Sequence, residues 1–219
     1  FVRAIITTVL VTAAGTAIQL LLTASMAYPL SKSNLPGRRI MMSLIVFTLV
    51  FSGGMIPTFL VVKDLGLLDT YWALILPAAI NPFSLIIIKN FFQQLPAELE
   101  ESAKIDGANE LQTLWSVILP LSKPVLATFA LFYAVGIWND FMSPLLYLND
   151  SSMWTLQMFL RQVTVATDLS IVETDPGQLP PAQGIKFAVI VVATLPMLIF
   201  YPFLQKHFAK GMLIGSVKG

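Results

Sequence analysis

Residues 96–120 read PAELEESAKIDGANELQTLWSVILP, a polar island between long apolar runs. Glu98, Glu100, Glu101, Lys104, Asp106 and Glu110 are too many charges for a bilayer, where each costs roughly 2.5–3.5 kcal/mol at the centre. Ala97, Leu99, Ala103, Ile105 and Ala108 are interleaved with them. The mixture predicts a short helix outside the membrane with one face on a partner. Pro96 suits a first helical position, and the acids after it complement the positive helix N-terminus. Gly107 can bend or end the helix, while Pro120 and Pro124 punctuate the entry to the next apolar run.

Outward from this island the chain is apolar. Of 219 residues 56% are hydrophobic and only 11% charged, with mean hydropathy +0.78, which excludes one or two soluble domains and indicates a membrane protein. Five segments approach the length needed to cross a roughly 30 Å hydrocarbon core. They are about 4–30, 40–62, 71–88, 125–148 and 185–204. Period-2 alternation is absent, so the fold class is all-α rather than a β-barrel. The first segment holds Thr7, Thr8, Thr12, Thr16, Thr23, Ser25 and Gln19, side chains suited to helix–helix packing. Gly53-Gly54 and Pro57 loosen the second, and Pro77, Asn81 and Pro82 predict kinks in the third. Zero Cys excludes disulfides and thiolate metal sites, the lone His207 leaves no His-based site, and no phosphate-binding GxxxxGK[ST] loop occurs. Net charge +1 gives no reason to expect nucleic acid.

Lys and Arg in the connections set the orientation. If the five segments alternate, Lys32, Arg38, Arg39, Lys89, Lys104, Lys123, Lys206, Lys210 and Lys218 fall on one side. Arg3, Lys63, Arg161 and Lys186 fall on the other, nine against four. The island at 95–120 and the C-terminus are then cytoplasmic, and the N-terminus is external. An external Phe1 at the edge of a span leads to the expectation that one more helix precedes it. Segment 149–184 becomes an external loop. Within it Met153, Leu156, Phe159 and Leu160 have the spacing of an amphipathic surface helix.

The island also resembles a known family. Glu101-Ser102-Ala103, Gly107, Val117 and Leu119-Pro120 look like the EAA loop of ABC-importer permeases, with Ser102 in place of Ala and Val117 in place of Ile. Asp106-Gly107-Ala108 and Leu119-Pro120-Leu121-Ser122-Lys123-Pro124 extend the match. Ser52-Gly53-Gly54-Met55-Ile56-Pro57, Gly66-Leu67-Leu68-Asp69-Thr70 and the tail from Lys210 to Gly219 look like the carbohydrate-uptake, maltose-type branch. The resemblance covers nearly the whole chain as a single transmembrane domain. It implies a permease with a missing first helix and a cytoplasmic coupling-helix loop. The implied partners are a second similar permease, an ATPase dimer that carries the ATP and Mg, an extracytoplasmic sugar-binding protein and the lipid bilayer of a bacterial inner membrane. Glu101, Ser102, Ala103, Asp106, Gly107, Ala108, Leu119 and Pro120 are the coupling residues it implies, and no cofactor or catalysis is implied in this chain.

Glu98, Glu100, Glu101 and Asp106 form the chief carboxylate cluster, yet no His, Tyr or phosphate loop beside them completes a catalytic set. Glu98 and Glu110 read as ordinary solvated charge. In the fourth run Trp138 offers a face for a sugar ring, and Asn139 and Asp140 offer hydrogen bonds to hydroxyls. The other reading of these three is an interfacial aromatic with helix-packing polar neighbours. An ion-driven secondary transporter calls for paired intramembrane carboxylates, and Asp140 stands alone in that role. A permease of the same superfamily for another small solute is the nearer alternative.

Overall fold

The computed structural model describes residues 1–172 and, beyond them, positions 184, 187, 190, 191, 194, 195 and 198. Among the described residues the regular structure is helical, with no strand. Helix α1, Val2–Ser31, is the axis about which the others pack. Ala4, Thr7, Thr8, Val11, Gly15, Gln19, Thr23 and Ala27 recur at three- and four-residue steps and are buried. Ile6, Val9, Leu10, Leu21 and Leu22 on the rest of its surface are exposed. A helix apolar outside with small and hydroxyl side chains inside is built for packing in lipid.

The second predicted segment, 40–62, is not one straight helix. Helix α2, Arg38–Val50, and helix α3, Met55–Asp64, meet at 115°. The cause lies in Ser52-Gly53-Gly54: Gly54 has φ +85°, a conformation that glycine adopts without steric cost. Pro57 falls in the first turn of α3, where its missing N–H has no intrahelical partner to lose. The third segment, 71–88, is also broken. Helix α4, Trp72–Ile75, runs into a 3-10 turn at Leu76–Ala78, and helix α5, Pro82–Gln93, leaves at 55°. Asn81 caps α5 by accepting the Ser84 N–H at 3.0 Å, Pro82 takes the first turn, and the helix continues beyond Ile88.

Helix α6, Ala97–Ile105, follows. Helix α7, Glu110–Thr113, passes through a π-helical turn at Leu114–Ile118 into the short α8, Leu119–Leu121. Helix α9, Lys123–Asn139, departs at 83°. Pro120 accounts for the wide turn: its ring would crowd the carbonyl four residues back, and the Leu119 N–H instead reaches the Leu114 carbonyl. The fourth segment, 125–148, ends as a helix at Asn139 and resumes as α10, Met142–Tyr147. A 3-10 turn, Ser151–Met153, leads to α11, Leu156–Val172. Among the described residues α1 alone is long and apolar enough to cross a membrane, and there are up to four spans if each bent pair is one. The fifth segment, 185–204, the loop beyond residue 172 and the tail at Lys210–Gly219 lie almost wholly outside the described residues.

Two apolar clusters sit at opposite halves of α1. Ala24, Ala27, Tyr28, Ile88, Leu114, Ile118, Phe129 and Tyr133 belong to the one near its C-terminus. Val11, Val62, Leu74, Ile75, Tyr147 and Leu148 belong to the other. Between them α1 crosses α9 closely: a Cβ on Gly15 would stand 2.7 Å from Ile137 Cδ1. The Thr23 and Tyr133 hydroxyls share a buried hydrogen bond of 3.2 Å across this interface.

Candidate functional site

Helix α6 carries the pattern that singled out the polar island. None of its residues is buried, and Ile105 is 86% exposed. Glu98 and Glu100 stand in its first turn and Lys104 in its last, each favourable to the helix dipole. The Ser102 hydroxyl donates to the Glu98 carbonyl at 2.8 Å, which turns it inward on its own helix and makes it a near equivalent of Ala. At the C-terminus Gly107 has φ +84°. Its N–H donates to the Lys104 carbonyl at 3.0 Å, and the Ala108 N–H donates to the Ala103 carbonyl at 2.9 Å. These two bonds are a Schellman cap, which needs a left-handed residue at its centre. Gly107 therefore ends the helix rather than bending it. Two residues on, Asn109 and Gln112 exchange reciprocal 2.8 Å bonds between side chain and backbone and start α7 with a capping box.

Of the predicted coupling residues, Glu101, Ser102, Asp106, Gly107 and Pro120 are exposed, and Ala103, Ala108 and Leu119 are half-buried. Glu101 through Ala108 lie together on α6 and its cap. Leu119 and Pro120 lie apart, at the corner into α9. Sequence reasoning missed how this unit is held. Lys32, just after α1, pairs with Glu100. The Tyr28 hydroxyl donates to Glu110 Oε2 at 2.7 Å, and Lys104 Nζ lies 2.7 Å from Glu110 Oε1. Glu110, expected as solvated charge, is thus shared between two donors, and these bonds hold its carboxyl below the usual glutamate range, Lys104 contributing most. Burial works against the Lys32 ammonium and lowers its proton affinity, with the Glu110 charge opposing. Gln93 Nε2 donates to the Ser31 carbonyl at 3.1 Å and Arg38 Nε to the Leu30 carbonyl at 2.9 Å, satisfying the last turn of α1. A cleft of about 550 Å³ opens here between Tyr28, Lys32, Leu35, Lys104, Glu110 and Leu114.

Trp138 is 6% exposed and packs on Ile5, Leu156 and Leu160, so the ring offered as a sugar platform is covered by protein in this conformation. Asn139 is exposed and donates from Nδ2 to the Val135 carbonyl at 2.9 Å. Asp140 Oδ1 accepts the N–H groups of Met142 and Ser143 at 3.0 and 3.1 Å and so caps α10 across the break. Asp69 lies nearer the other end of α1, with φ +55°. Its N–H donates to the Tyr147 carbonyl at 2.9 Å, and its carboxylate accepts the Asn149 N–H at 2.5 Å and Asn149 Nδ2 at 3.1 Å. The Asn149 side chain is the main cause that lowers its pKa. The quoted segment Gly66–Thr70 contained this residue, but its partner lies 80 positions away. Among the described residues no group of His, Cys, Asp and Glu is arranged to hold a metal.

Residues 19–214 match the family described as binding-protein-dependent transport system inner membrane component. The chain belongs to that family. It is a permease, a membrane protein, and in such systems ATP hydrolysis resides in a partner ATPase subunit. This permease is 67% identical to Protein LplC of Bacillus subtilis (strain 168), over all of this chain and 75% of that one. It is 58% identical to the polygalacturonan/rhamnogalacturonan transport system permease protein YtcP of the same organism, over 99% of this chain and 77% of that one. Among solved structures it is similar to a bacterial ABC transporter involved in the import of the acidic polysaccharide alginate. That match has TM-score 0.86 and 35% identity, covering 95% of this chain and 75% of the other. For a permease the geometry of α6 has a plain use. It is an exposed, well-capped rod between α5 and α9, tied by side chains to α1.

Proposed function

We propose that this permease forms half of the translocation pathway of an ATP-driven importer of oligosaccharides, and that α6 is the coupling helix that docks on the ATPase. The observation that carries the reading is α6 itself. Glu101-Ser102-Ala103 is presented on a rod with no buried residue, closed by Gly107, that follows α5 and leads through α7 and α8 to α9. A capped rod of this kind carries displacement of its docking groove into the membrane helices packed beside it. The spans among the described residues are α1, α2 with α3, α4 with α5, and α9. Glu101, Ser102, Ala103, Asp106, Gly107 and Ala108 make or shape the ATPase contact, and Leu119-Pro120 turns the chain into α9. The loop at α6 and the C-terminus face the cytoplasm. A second permease completes the pathway, an extracytoplasmic binding protein delivers the substrate, and the ATPase dimer supplies ATP and Mg.

The substrate class follows the relatives. One is named for polygalacturonan and rhamnogalacturonan and a structural neighbour for alginate, so uronate-bearing oligosaccharides are the substrates we favour. Asn139 and Asp140 border the pathway at the α9–α10 break. Trp138 reaches a sugar only if α11 moves away from it. The test uses the complete complex in proteoliposomes. Glu101→Lys and Gly107→Pro should leave the permease in the membrane but reduce ATPase docking or substrate-stimulated hydrolysis. Normal docking and normal stimulation in both variants would remove the coupling assignment.

A further inference from the structure

We propose that α1 is a third lever on α6, clamped to it by the Tyr28–Glu110–Lys104 and Lys32–Glu100 contacts, so that the coupling helix and the adjoining half of α1 move as one body. The proposal rests on the coupling role of α6 given above. The covalent attachments of α6 are poor transmitters by themselves. Toward α5 the chain passes through Leu95 and Pro96. Toward α9 it passes through the left-handed Gly107, the π turn and the 83° corner. A peg held only at those joints would pivot.

The side chains remove that freedom. Tyr28 is 5% exposed and packed in the cluster with Ala24, Leu114 and Phe129, so its hydroxyl is fixed in space by a core. That hydroxyl grips Glu110 at 2.7 Å, immediately after α6 and its cap. Lys104, in the last turn of α6, reaches the other oxygen of the same carboxylate at 2.7 Å. Glu100, near the N-terminal end of α6, pairs with Lys32, whose ammonium also stands 4.2 Å from the centre of the Tyr28 ring. Two positions one turn apart on α6 are therefore tied to the C-terminal end of α1, Glu100 directly through Lys32 and Lys104 by way of Glu110 and Tyr28. From there α1 runs past the Gly15–Ile137 and Thr23–Tyr133 crossings. Near its far end the Thr8 hydroxyl accepts the Leu156 N–H at 2.7 Å and Thr7 meets the Tyr71 hydroxyl at 3.4 Å. Displacement of α6 is thereby carried along α1, and through the helices packed on it, α9 among them, to α11 and α4.

The test compares ATP hydrolysed per sugar imported in proteoliposomes of the complete complex. Tyr28→Phe keeps the packed ring and removes the grip on Glu110, and Glu100→Gln removes the ion pair. Each should raise the ratio roughly threefold, within the range that a partly exposed charged contact is worth. Lys32→Glu alone should do the same, and Lys32→Glu with Glu100→Lys together should restore coupling, as a pairwise interaction requires. Unchanged ratios in the single variants, or a double variant no better than either single, overturn the clamp. A second measurement covers variants that assemble poorly. The chain has no Cys, so Lys32→Cys with Glu100→Cys can be bridged by a short bis-thiol reagent. The unbridged pair should show the raised ratio of ATP to sugar, and the bridged pair should return toward the parent's. Import that stops on bridging, or a bridge that does not form in the assembled complex, overturns the proposal. Glu101→Lys in the same preparation separates the two readings. If that variant docks the ATPase normally, the coupling role of α6 is wrong. If it uncouples while Tyr28→Phe and Glu100→Gln do not, only the clamp is wrong.

Discussion

Single residues explain the family pattern here. Gly107 is required because two N–H groups converge on the end of α6 and the residue between them must be left-handed. Nothing surrounds a Cβ placed there, so the cost of Gly107→Ala is purely conformational, about 1–2 kcal/mol. Hydrogen exchange should report it: amide protection at positions 107 and 108 should fall about tenfold for 1.4 kcal/mol, with α1 unaffected. Glu110 gives a pH prediction. Its folded pKa is depressed by Lys104 and Tyr28, so its contribution to stability is present above its unfolded pKa and is lost as pH falls through the lower folded value. Thermal unfolding below about pH 5 should therefore show an acid limb that is shallower in Glu110→Gln. The helix end was legible in the sequence because Gly107 acts on its immediate neighbours. The role of Glu110 was not, since its decisive partner, Tyr28, lies 82 positions away.

At the scale of elements, apolar runs located the helices and concealed their breaks. Lipid-facing composition depends on environment and persists through Phe51–Gly54 and across Ala78–Asn81, where the backbone leaves the helix. The punctuation was present as Gly53-Gly54, Pro77 and Asn81-Pro82, and it acts where glycine freedom or a missing N–H acts. The Asp140 break was harder to see, because a carboxylate inside an apolar run reads equally as a cap or a functional charge. The close crossing at Gly15 carries no local signal, because Ile137 lies on a helix far along the chain. Its neighbour is the tip of a flexible side chain. Gly15→Ala should be near neutral, since displacing the Ile137 methyl is offset by up to about 1 kcal/mol of helix propensity. Gly15→Leu overfills the crossing and should cost about 1–3 kcal/mol. Thermal unfolding of the detergent-purified complex should separate the two, the Leu variant melting lower while the Ala variant stays near the parent.

For the whole molecule the decisive quantity is the distribution of charge along the chain. If the five apolar segments alternate, Lys and Arg divide nine against four between the two sets of connections, and the proposed orientation rests on that asymmetry. The two apolar clusters on α1 mark its two ends, with α6 beside one and the turn after α3 beside the other. Under the proposed topology Asp64 and Glu101 report opposite faces of the membrane. In the Cys-free chain, Asp64→Cys should react with an impermeant thiol reagent in intact cells, and Glu101→Cys should react only after the membrane is opened. Labelling in the reverse sense would turn the bundle over and put α6 out of reach of any cytoplasmic ATPase. The energy source is tested in proteoliposomes. With α6 cytoplasmic, uptake into proteoliposomes should require ATP on the α6 side and should survive collapse of proton and sodium gradients. Asp140, the carboxylate that an ion-driven carrier would call on, has its Oδ1 on two backbone N–H groups that cap α10. Strong sugar flux driven by either gradient without ATP would overturn the ATP-driven reading, and the coupling role of α6 would fall with it.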